Sequence, residues 1–159
     1  MNGITLILDA NLLLLLVVGM TDRDLIKKHK RLTTFTTEDY DLLCTVLAAA
    51  AKILVTPNTL TETSNLMRYI DEPARSQISA VFQQLVIITD EEYIPSRTAV
   101  AVREFSRLGL TDAALLEGNG QERRSLLTTD LELYLAAQYN GLSAVNFNHL
   151  RDQNDAGAE

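Results

Sequence analysis

The stretch ITLILDANLLLLLVVG, residues Ile4–Gly19, decides the fold of this chain. Its first part, Ile4–Leu8, is apolar and partly β-branched and is closed by Asp9, which is typical of a short strand buried on both faces. The mostly apolar residues Asn11–Gly19 then predict a helix that ends at the glycine. A buried strand followed at once by a helix is the repeating unit of a parallel sheet.

The rest of the chain repeats this unit. Further strands are predicted at Ile53–Thr56, Val86–Thr89, Ser125–Thr128 and Ala144–Phe147. Further helices are predicted at Thr36–Ala51, from Thr59 toward Tyr69, and at Glu72–Gln84, Ser96–Leu108, Asp112–Gly118 and Leu131–Tyr139. Thr36 with Asp39 and Thr59 with Glu62 resemble capping boxes, and Thr111 is predicted to cap the helix that begins at Asp112. This alternation predicts an α/β fold, an open parallel sheet covered by helices on both faces.

Length and composition indicate one globular domain. The chain has 159 residues, of which 47% are hydrophobic. We expect residues 1–150 to form the domain and the polar residues 151–159 to be a disordered tail. Cys44 is the only cysteine, which excludes an intrachain disulfide and favours a reducing, cytoplasmic location. The apolar run Leu12–Val18 is too short for a membrane span and lacks the cationic residues of a signal peptide.

The positive charge is concentrated in one segment. The net charge of −7 opposes unspecific attraction to a phosphate backbone, so contact with a nucleic acid has to be local. Five of the nine residues Arg23–Arg31 are basic. Within this segment Lys27, Lys28, Lys30 and Arg31 are predicted to bind nucleic-acid phosphates or a partner, and a solvated helix end or loop is the equally weighted alternative.

Four acidic residues stand just after predicted strands or at the starts of predicted helices. Asp9 follows the first strand and Asp130 follows a later one, whereas Glu62 and Asp112 lie at the starts of helices. In a parallel sheet these positions meet at one edge, in a single acidic pocket. Two carboxylates about 4 Å apart repel by about 4 kcal/mol at an effective dielectric constant near 20, so such a pocket takes up protons or cations. Oxygen ligands favour Mg²⁺ or Mn²⁺.

Other kinds of site find less support. Taken singly, Glu62 and Asp112 are explained by the preference of acids for helix N-termini. Gly118 and Gly120 lack the lysine and the strand-turn-helix setting of a phosphate-binding loop. His29 and His149 lack partners at zinc-ligand spacing. The serines lack the sequence motif that surrounds a serine nucleophile. The arginines of Ser96–Leu108 are better explained as a solvated or ion-paired helix face than as residues that bind RNA phosphates.

Four segments carry a resemblance to a known family. They are ILDANLLL (Ile7–Leu14), TPNTLTETSNL (Thr56–Leu66), LGLTDAALLE (Leu108–Glu117) and LLTTDLELYLAA (Leu126–Ala137). In order and spacing they resemble the four acidic motifs of PIN domains. The resemblance covers the chain from Ile4 to about Leu150 and departs from compact PIN toxins in the longer, basic connection Arg23–Thr37.

The resemblance implies a three-layer α/β/α domain around a mostly parallel five-stranded sheet, and a ribonuclease that requires Mg²⁺ or Mn²⁺. It implies that Asp9, Glu62, Asp112 and Asp130 hold the metal and that Asn11 and Thr128 support the pocket. RNA is the implied substrate. An inhibitory antitoxin or another protein partner, and a homodimer, are further implied partners, because small members of this family include toxins and phage-defence proteins.

Two other functions are open from the sequence. One is a PIN-like module that no longer cuts and serves in binding or assembly, although four retained acids argue against it. The other is a phosphoacceptor domain of the receiver type. That function requires a lysine after a late strand, and neither Ser125–Thr128 nor Ala144–Phe147 is followed by one.

Overall fold

Five parallel strands form one sheet in the computed structural model, which describes residues 3–158. The strands are β1 (Thr5–Leu8), β2 (Lys52–Val55), β3 (Asp90–Glu91), β4 (Arg124–Thr128) and β5 (Ala144–Asn146). Their order in the sheet is β3-β2-β1-β4-β5, and each neighbouring pair is parallel. The strand that opens the chain is therefore the central one, paired on both sides.

Helices connect and cover the strands. The helices are α1 (Ala10–Thr21), α2 (Thr37–Ala48), α3 (Pro57–Leu66), α4 (Ala74–Ile88), α5 (Ser96–Ala99), α6 (Phe105–Leu108), α7 (Leu110–Gly118), α8 (Leu131–Tyr139) and α9 (Phe147–Gly157). A 3₁₀ turn, Arg23–Leu25, follows α1. Along β1, Leu6 and Leu8 pack on the side of α1, α2 and α4, whereas Ile7 packs on the side of α7 and α8. Apolar cores on both faces of one sheet make the predicted three-layer α/β/α fold, which is confirmed.

The apolar run of α1 is explained by its surroundings. Leu12–Val18 is buried throughout, because the helix lies between β1 and the helices α2, α3 and α4. A helix buried on all sides is expected to be apolar around its whole circumference. Within residues 3–158, no helix combines the length and the hydropathy that a bilayer span requires.

The third strand lies elsewhere than predicted. Val86–Thr89 was expected to be a strand because it is β-branched, but α4 continues through Ile88. The helix is held by the burial of Ile78 and Leu85, and the Thr89 amide donates to the Leu85 carbonyl at 3.0 Å. Burial along one helical face outweighs the weak β preference of this segment. The strand β3 is the two acidic residues that follow.

Several helix starts also differ. Thr56 rather than Thr59 caps α3, so Glu62 lies in the second turn and forms no capping box with Thr59. The start of α7 is Leu110, with Gly109 rather than Thr111 at the cap position. The predicted helix over residues 96–108 is divided into α5 and α6 by a turn. Several polar residues stand in succession near these helix starts and suit a cap position equally well by type. The residue type alone therefore does not fix where each helix begins.

Residues 151–157 of the predicted disordered tail are instead helical. Helix α9 begins at Phe147 and continues through Gly157. Its residue Arg151 donates to the carbonyl of Thr34 at 2.5 Å and to the carboxylate of Asp39 at 2.9 Å. Asp39 also completes the capping box of α2, the one predicted with Thr36. An ion pair and a cap thus join the last helix to the start of α2, which a polar composition alone does not reveal.

The packing of α1 against α2 supplies a test. A Cβ atom on Gly19 would overlap the ring of Tyr40, which lies on α2. We expect Gly19→Ala to lower the free energy of unfolding by about 1–3 kcal/mol, as overpacking does in a closed core. Urea denaturation measures this change. Gly157→Ala is the control, because a Cβ there meets nothing within 4 Å. Equal stability of the two variants would contradict the packing described.

Candidate functional site

The carboxylate of Asp9 joins the ends of two strands. The residue follows β1 and is only 5% exposed. Its Oδ1 accepts a hydrogen bond from the Leu12 amide at 2.9 Å, which caps α1. Its Oδ2 accepts from the Thr128 hydroxyl at the end of β4, and from the Thr129 amide at 3.0 Å. Three donors from two parts of the chain therefore hold this side chain.

Asp130 is the second residue after β4, as Asp9 is the first residue after β1. It caps α8, where its Oδ1 accepts from the amides of Glu132 at 2.9 Å and Leu133 at 3.2 Å. Its own amide donates to the Thr128 hydroxyl at 2.9 Å. Thr128 is fully buried and its hydroxyl serves both acids, as donor to Asp9 and acceptor from Asp130. The two acids are thus coupled through one threonine.

The other two acids approach from neighbouring helices. Asp112 is half-buried in the first turn of α7, and Glu62 is exposed on α3. Burial raises the pKa of Asp112 to about 7, with further increases from the charges of Asp130, Asp9 and Glu62. A charge acts on a carboxyl group more strongly the nearer it lies. Each of the other three predicted acids therefore lies near enough to Asp112 for its charge to act on this carboxyl group.

The carboxyl group of Asp9 is also in surroundings that disfavour its ionisation. Burial raises the pKa of Asp9 above its ordinary value, and the charge of Asp130 adds to that effect. The hydrogen bonds from Thr128, Leu12 and Thr129 act in the opposite direction. Two carboxyl groups with raised pKa values at one place make this region the strongest candidate for a functional site.

This place is the switch point of the sheet. From β1 the chain proceeds to β2 and β3 on one side, and then returns to β4 and β5 on the other side of β1. The connections after β1 and β4 therefore diverge and leave a crevice beyond their carboxyl ends, where ligands of open α/β sheets bind. Asp9 and Asp130 are the first and second residues after these two strands.

The two predicted supporting residues, Thr128 and Asn11, differ in their positions. Thr128 occupies the predicted supporting position. Asn11 is exposed at the second position of α1, and the cap of that helix is Asp9.

The four predicted basic residues are outside the groove that contains Glu62. Lys27, Lys28, Lys30 and Arg31 are exposed. Lys28 and Lys30 line a separate hollow of about 390 Å³ beside the connection between α3 and α4. The Arg31 guanidinium lies 4.2 Å from the ring centroid of Tyr69. None of the four lines the groove that contains Glu62.

Helix α9 contacts the site through residues that the sequence did not predict. The side-chain amide of Asn148 donates from Nδ2 to the Thr129 carbonyl at 3.1 Å, and Arg151 donates to Asn148 Oδ1 at 3.0 Å. Because the Thr129 amide donates to Asp9, these contacts steady one of the donors of that carboxylate. The signal in the sequence is the pair Asn146 and Asn148, of which the first ends β5 and the second comes just after it, at the edge where the acids lie.

The donor chemistry of the site fits a hard divalent cation. Asp9, Asp112, Asp130, Glu62 and Thr128 offer oxygen atoms alone, the ligands that Mg²⁺ and Mn²⁺ prefer. Both cap bonds of Asp130 use Oδ1, which leaves its Oδ2 open to a ligand. Within residues 3–158, however, no group of three or more Asp, Glu, His or Cys side chains is arranged to hold a metal ion. The acids are neighbours, and a metal-binding set would require a change of side-chain positions.

Comparison of the chain with protein-family models and with curated proteins finds no match. The resemblance to PIN domains accordingly remains a prediction from four short segments. Functional inference depends on the residues of the site and their chemistry.

The shared hydroxyl of Thr128 can be tested directly. Thr128→Val keeps the shape of the side chain but removes the donor to Asp9 and the acceptor for the Asp130 amide. We expect the free energy of unfolding to fall by about 1–3 kcal/mol, because a buried carboxylate and a backbone amide each lose a partner. Urea denaturation measures the loss. Thr45→Val, which removes an exposed hydroxyl bound to the Asp41 carbonyl, is the control. A loss no larger than that of the control would contradict the coupling.

The raised pKa of Asp112 predicts a pH dependence of stability. Its ordinary value is 3.8 and its value in the folded chain is about 7, so the carboxyl ionises first in the unfolded chain. The stability associated with Asp112 is therefore complete below about pH 4 and is lost as the pH rises toward 7. We expect Asp112→Asn to gain stability relative to the parent protein over this interval, as measured by urea denaturation with a chelator present. Parallel curves for the two proteins would contradict the expectation.

Proposed function

We propose that this chain is a metal-dependent endoribonuclease of the PIN-domain type, which hydrolyses RNA phosphodiester bonds with Mg²⁺ or Mn²⁺. The observation that carries the proposal is the coupling of Asp9 and Asp130 through Thr128 at the switch point, with Asp112 and Glu62 beside them. The resemblance of the four acidic segments to PIN domains supports the same conclusion. RNA as the substrate rests on that resemblance.

Each acid has a distinct part in this proposal. Asp9 is the fixed ligand, because three donors already hold it in place. Asp130 contributes the oxygen that its cap bonds leave open. Asp112 gains most from a cation, because burial and three negative neighbours oppose its ionisation. Glu62 is exposed and completes the set from α3.

A bound divalent cation would supply an activated water and neutralise charge on the phosphodiester. The carboxylates would hold the ion in the crevice beyond β1 and β4. An acid that is not a ligand at that moment would accept the proton of the attacking water. Attack would form a phosphorus–oxygen bond and break the bond to the leaving oxygen, which takes a proton from solvent, so that the RNA is divided into a phosphate end and a hydroxyl end.

The charge of the chain is consistent with a site in which a cation binds the phosphate. A net charge of −7 repels RNA, and the acids repel phosphate most strongly where they cluster. No lysine or arginine lines the groove beside the acids, so in this proposal the phosphate at the site depends on the cation itself. We expect activity to be absent without the metal rather than merely reduced.

The setting of this activity is also a proposal. By the same resemblance, the chain is a cytoplasmic ribonuclease that serves as the toxin of a toxin–antitoxin pair or in phage defence. An inhibitory antitoxin and a second copy of the chain are the proposed partners. The strand order argues against a receiver-type phosphoacceptor, since receiver domains have the order 2-1-3-4-5.

One observation favours a second candidate, a PIN-like module that binds without cutting. Within the described part of the chain, the acids are not arranged as a ready metal-binding set. A module of this kind would retain the fold and bind RNA or a protein, but its acids would not need to approach one another. The assay below separates the two candidates.

The proposed activity is tested by incubating the purified protein with labelled single-stranded RNA and Mg²⁺, Mn²⁺ or a chelator. We expect metal-dependent cleavage that Asp9→Asn and Asp112→Asn each reduce by about a hundredfold or more, because each removes charge that holds the ion. Initial rates measure the loss.

Glu117→Gln is the matched control, because Glu117 is an exposed carboxylate on α7, the helix that carries Asp112. It is expected to keep the parent rate. Cleavage that survives both Asp9→Asn and Asp112→Asn would reveal a contaminant or another site. Absence of cleavage with either metal would favour the module that binds without cutting.

A further inference from the structure

A polar groove of about 470 Å³ opens beside the acids. Its lining includes Asn58, Glu62, Asn65, Tyr93, Ser96 and Thr111. Glu62 belongs to the acidic site, and Thr111 is the neighbour of Asp112 in the chain. The groove is therefore continuous with the site, and its volume lies within the range of about 300–1,000 Å³ that is usual for ligand pockets.

The groove contains an exposed aromatic ring on an anchored segment. Tyr93 is 72% exposed, whereas Ile94, the next residue, is buried against α5 and α7. On its other side, Glu92 forms an ion pair with Arg124 at 2.6 Å, and the Glu92 amide donates to the Val55 carbonyl at 2.9 Å. Both neighbours of Tyr93 are thus held in place. The ring is exposed on a fixed support, which is the arrangement of a stacking platform.

The remaining lining is uncharged and able to form hydrogen bonds. Apart from Glu62, the lining contains no ionisable acid and no lysine or arginine. The side chains of Asn58, Asn65 and Ser96 take part in no hydrogen bond among residues 3–158, so their donors and acceptors are available to a ligand. Amides and hydroxyls around an aromatic ring suit a neutral, flat, hydrogen-bonding group, and the groove offers no cationic side chain to the charge of a phosphate.

We infer that this groove is a nucleobase subsite, in which Tyr93 stacks on one unpaired base of the RNA while Asn58, Asn65 and Ser96 contact the base edge or the ribose. Unpaired bases are recognised by stacking on aromatic rings and by hydrogen bonds to their edges. In a duplex the base faces are covered by neighbouring pairs. The subsite therefore makes the protein selective for single-stranded RNA.

This inference rests on the proposed function for the place of the cleaved phosphate, which lies at the acids next to the groove. The acidic site and the groove differ in charge, so each suits a different part of the nucleotide. The acidic site takes the charged phosphate by way of a cation, and the neutral groove takes the uncharged base beside it. Because loss of stacking weakens binding and leaves the acids intact, its effect appears in KM and leaves kcat nearly unchanged.

The first experiment measures cleavage of single-stranded oligouridylate and oligoadenylate by Tyr93→Ala and Tyr93→Phe. We expect Tyr93→Ala to raise KM about tenfold, the effect of losing one stacked base, with kcat within about twofold of the parent value. Tyr93→Phe keeps the ring and is expected to keep the parent KM. Tyr139→Ala is the matched control, because Tyr139 is 74% exposed and lies outside the groove.

The second experiment does not need cleavage. The chain has no tryptophan, so Tyr93→Trp introduces a single indole reporter into the groove. In a protein that also carries Asp112→Asn, we expect the same oligonucleotides with Mg²⁺ to quench its fluorescence and double-stranded RNA to leave it unchanged. Tyr139→Trp with Asp112→Asn is the control and is expected to show no quenching.

The two experiments separate failure of the subsite from failure of the proposed function. Metal-dependent cleavage with a parent KM in Tyr93→Ala, or equal quenching by single-stranded and double-stranded RNA, would overturn the subsite alone. Quenching at Tyr93→Trp without any cleavage by the parent protein would overturn the nuclease and support the subsite. Neither cleavage nor quenching would overturn both.

Discussion

The burial of the Asp9 carboxylate is the constraint on which the site depends. A charge removed from water is costly unless donors surround it, and three donors do so here. Two of them, Thr128 and Thr129, come from the end of β4, so the carboxylate requires β1 and β4 to be neighbours in register. The same threonine hydroxyl accepts from the Asp130 amide. Strand pairing, helix capping and the placement of two acids are therefore one arrangement.

That arrangement concentrates negative charge where the sheet opens. Burial and three acidic neighbours disfavour ionisation of Asp112, and a cation would relieve the repulsion among them. The adjoining groove around Tyr93 is neutral apart from Glu62. A charged site beside a neutral one matches the two chemically different halves of a nucleotide, the phosphate and the base. Lys28 and Lys30 line a different hollow.

Much of the fold was predictable from local patterns. The apolar strand closed by Asp9, the capping pair Thr36 and Asp39, and the helix Leu131–Tyr139 are all present as predicted. The wrong predictions share a cause. Val86–Thr89 has the composition of a strand, but burial of Leu85 on the preceding turn keeps it helical. The polar residues after Leu150 lack apolar periodicity, yet contacts of Arg151 with distant partners accompany an ordered helix.

The sequence by itself determined the α/β class, the burial of an apolar first strand, and the four acids as the residues to consider, because these follow from local periodicity and from acids placed after strands. Only the tertiary structure decided that this strand is central, that Asp9 and Asp130 share Thr128, and that Tyr93 lines the same groove as Glu62. The reason is that these relations join residues far apart in the chain, and the order and pairing of the strands set their distances.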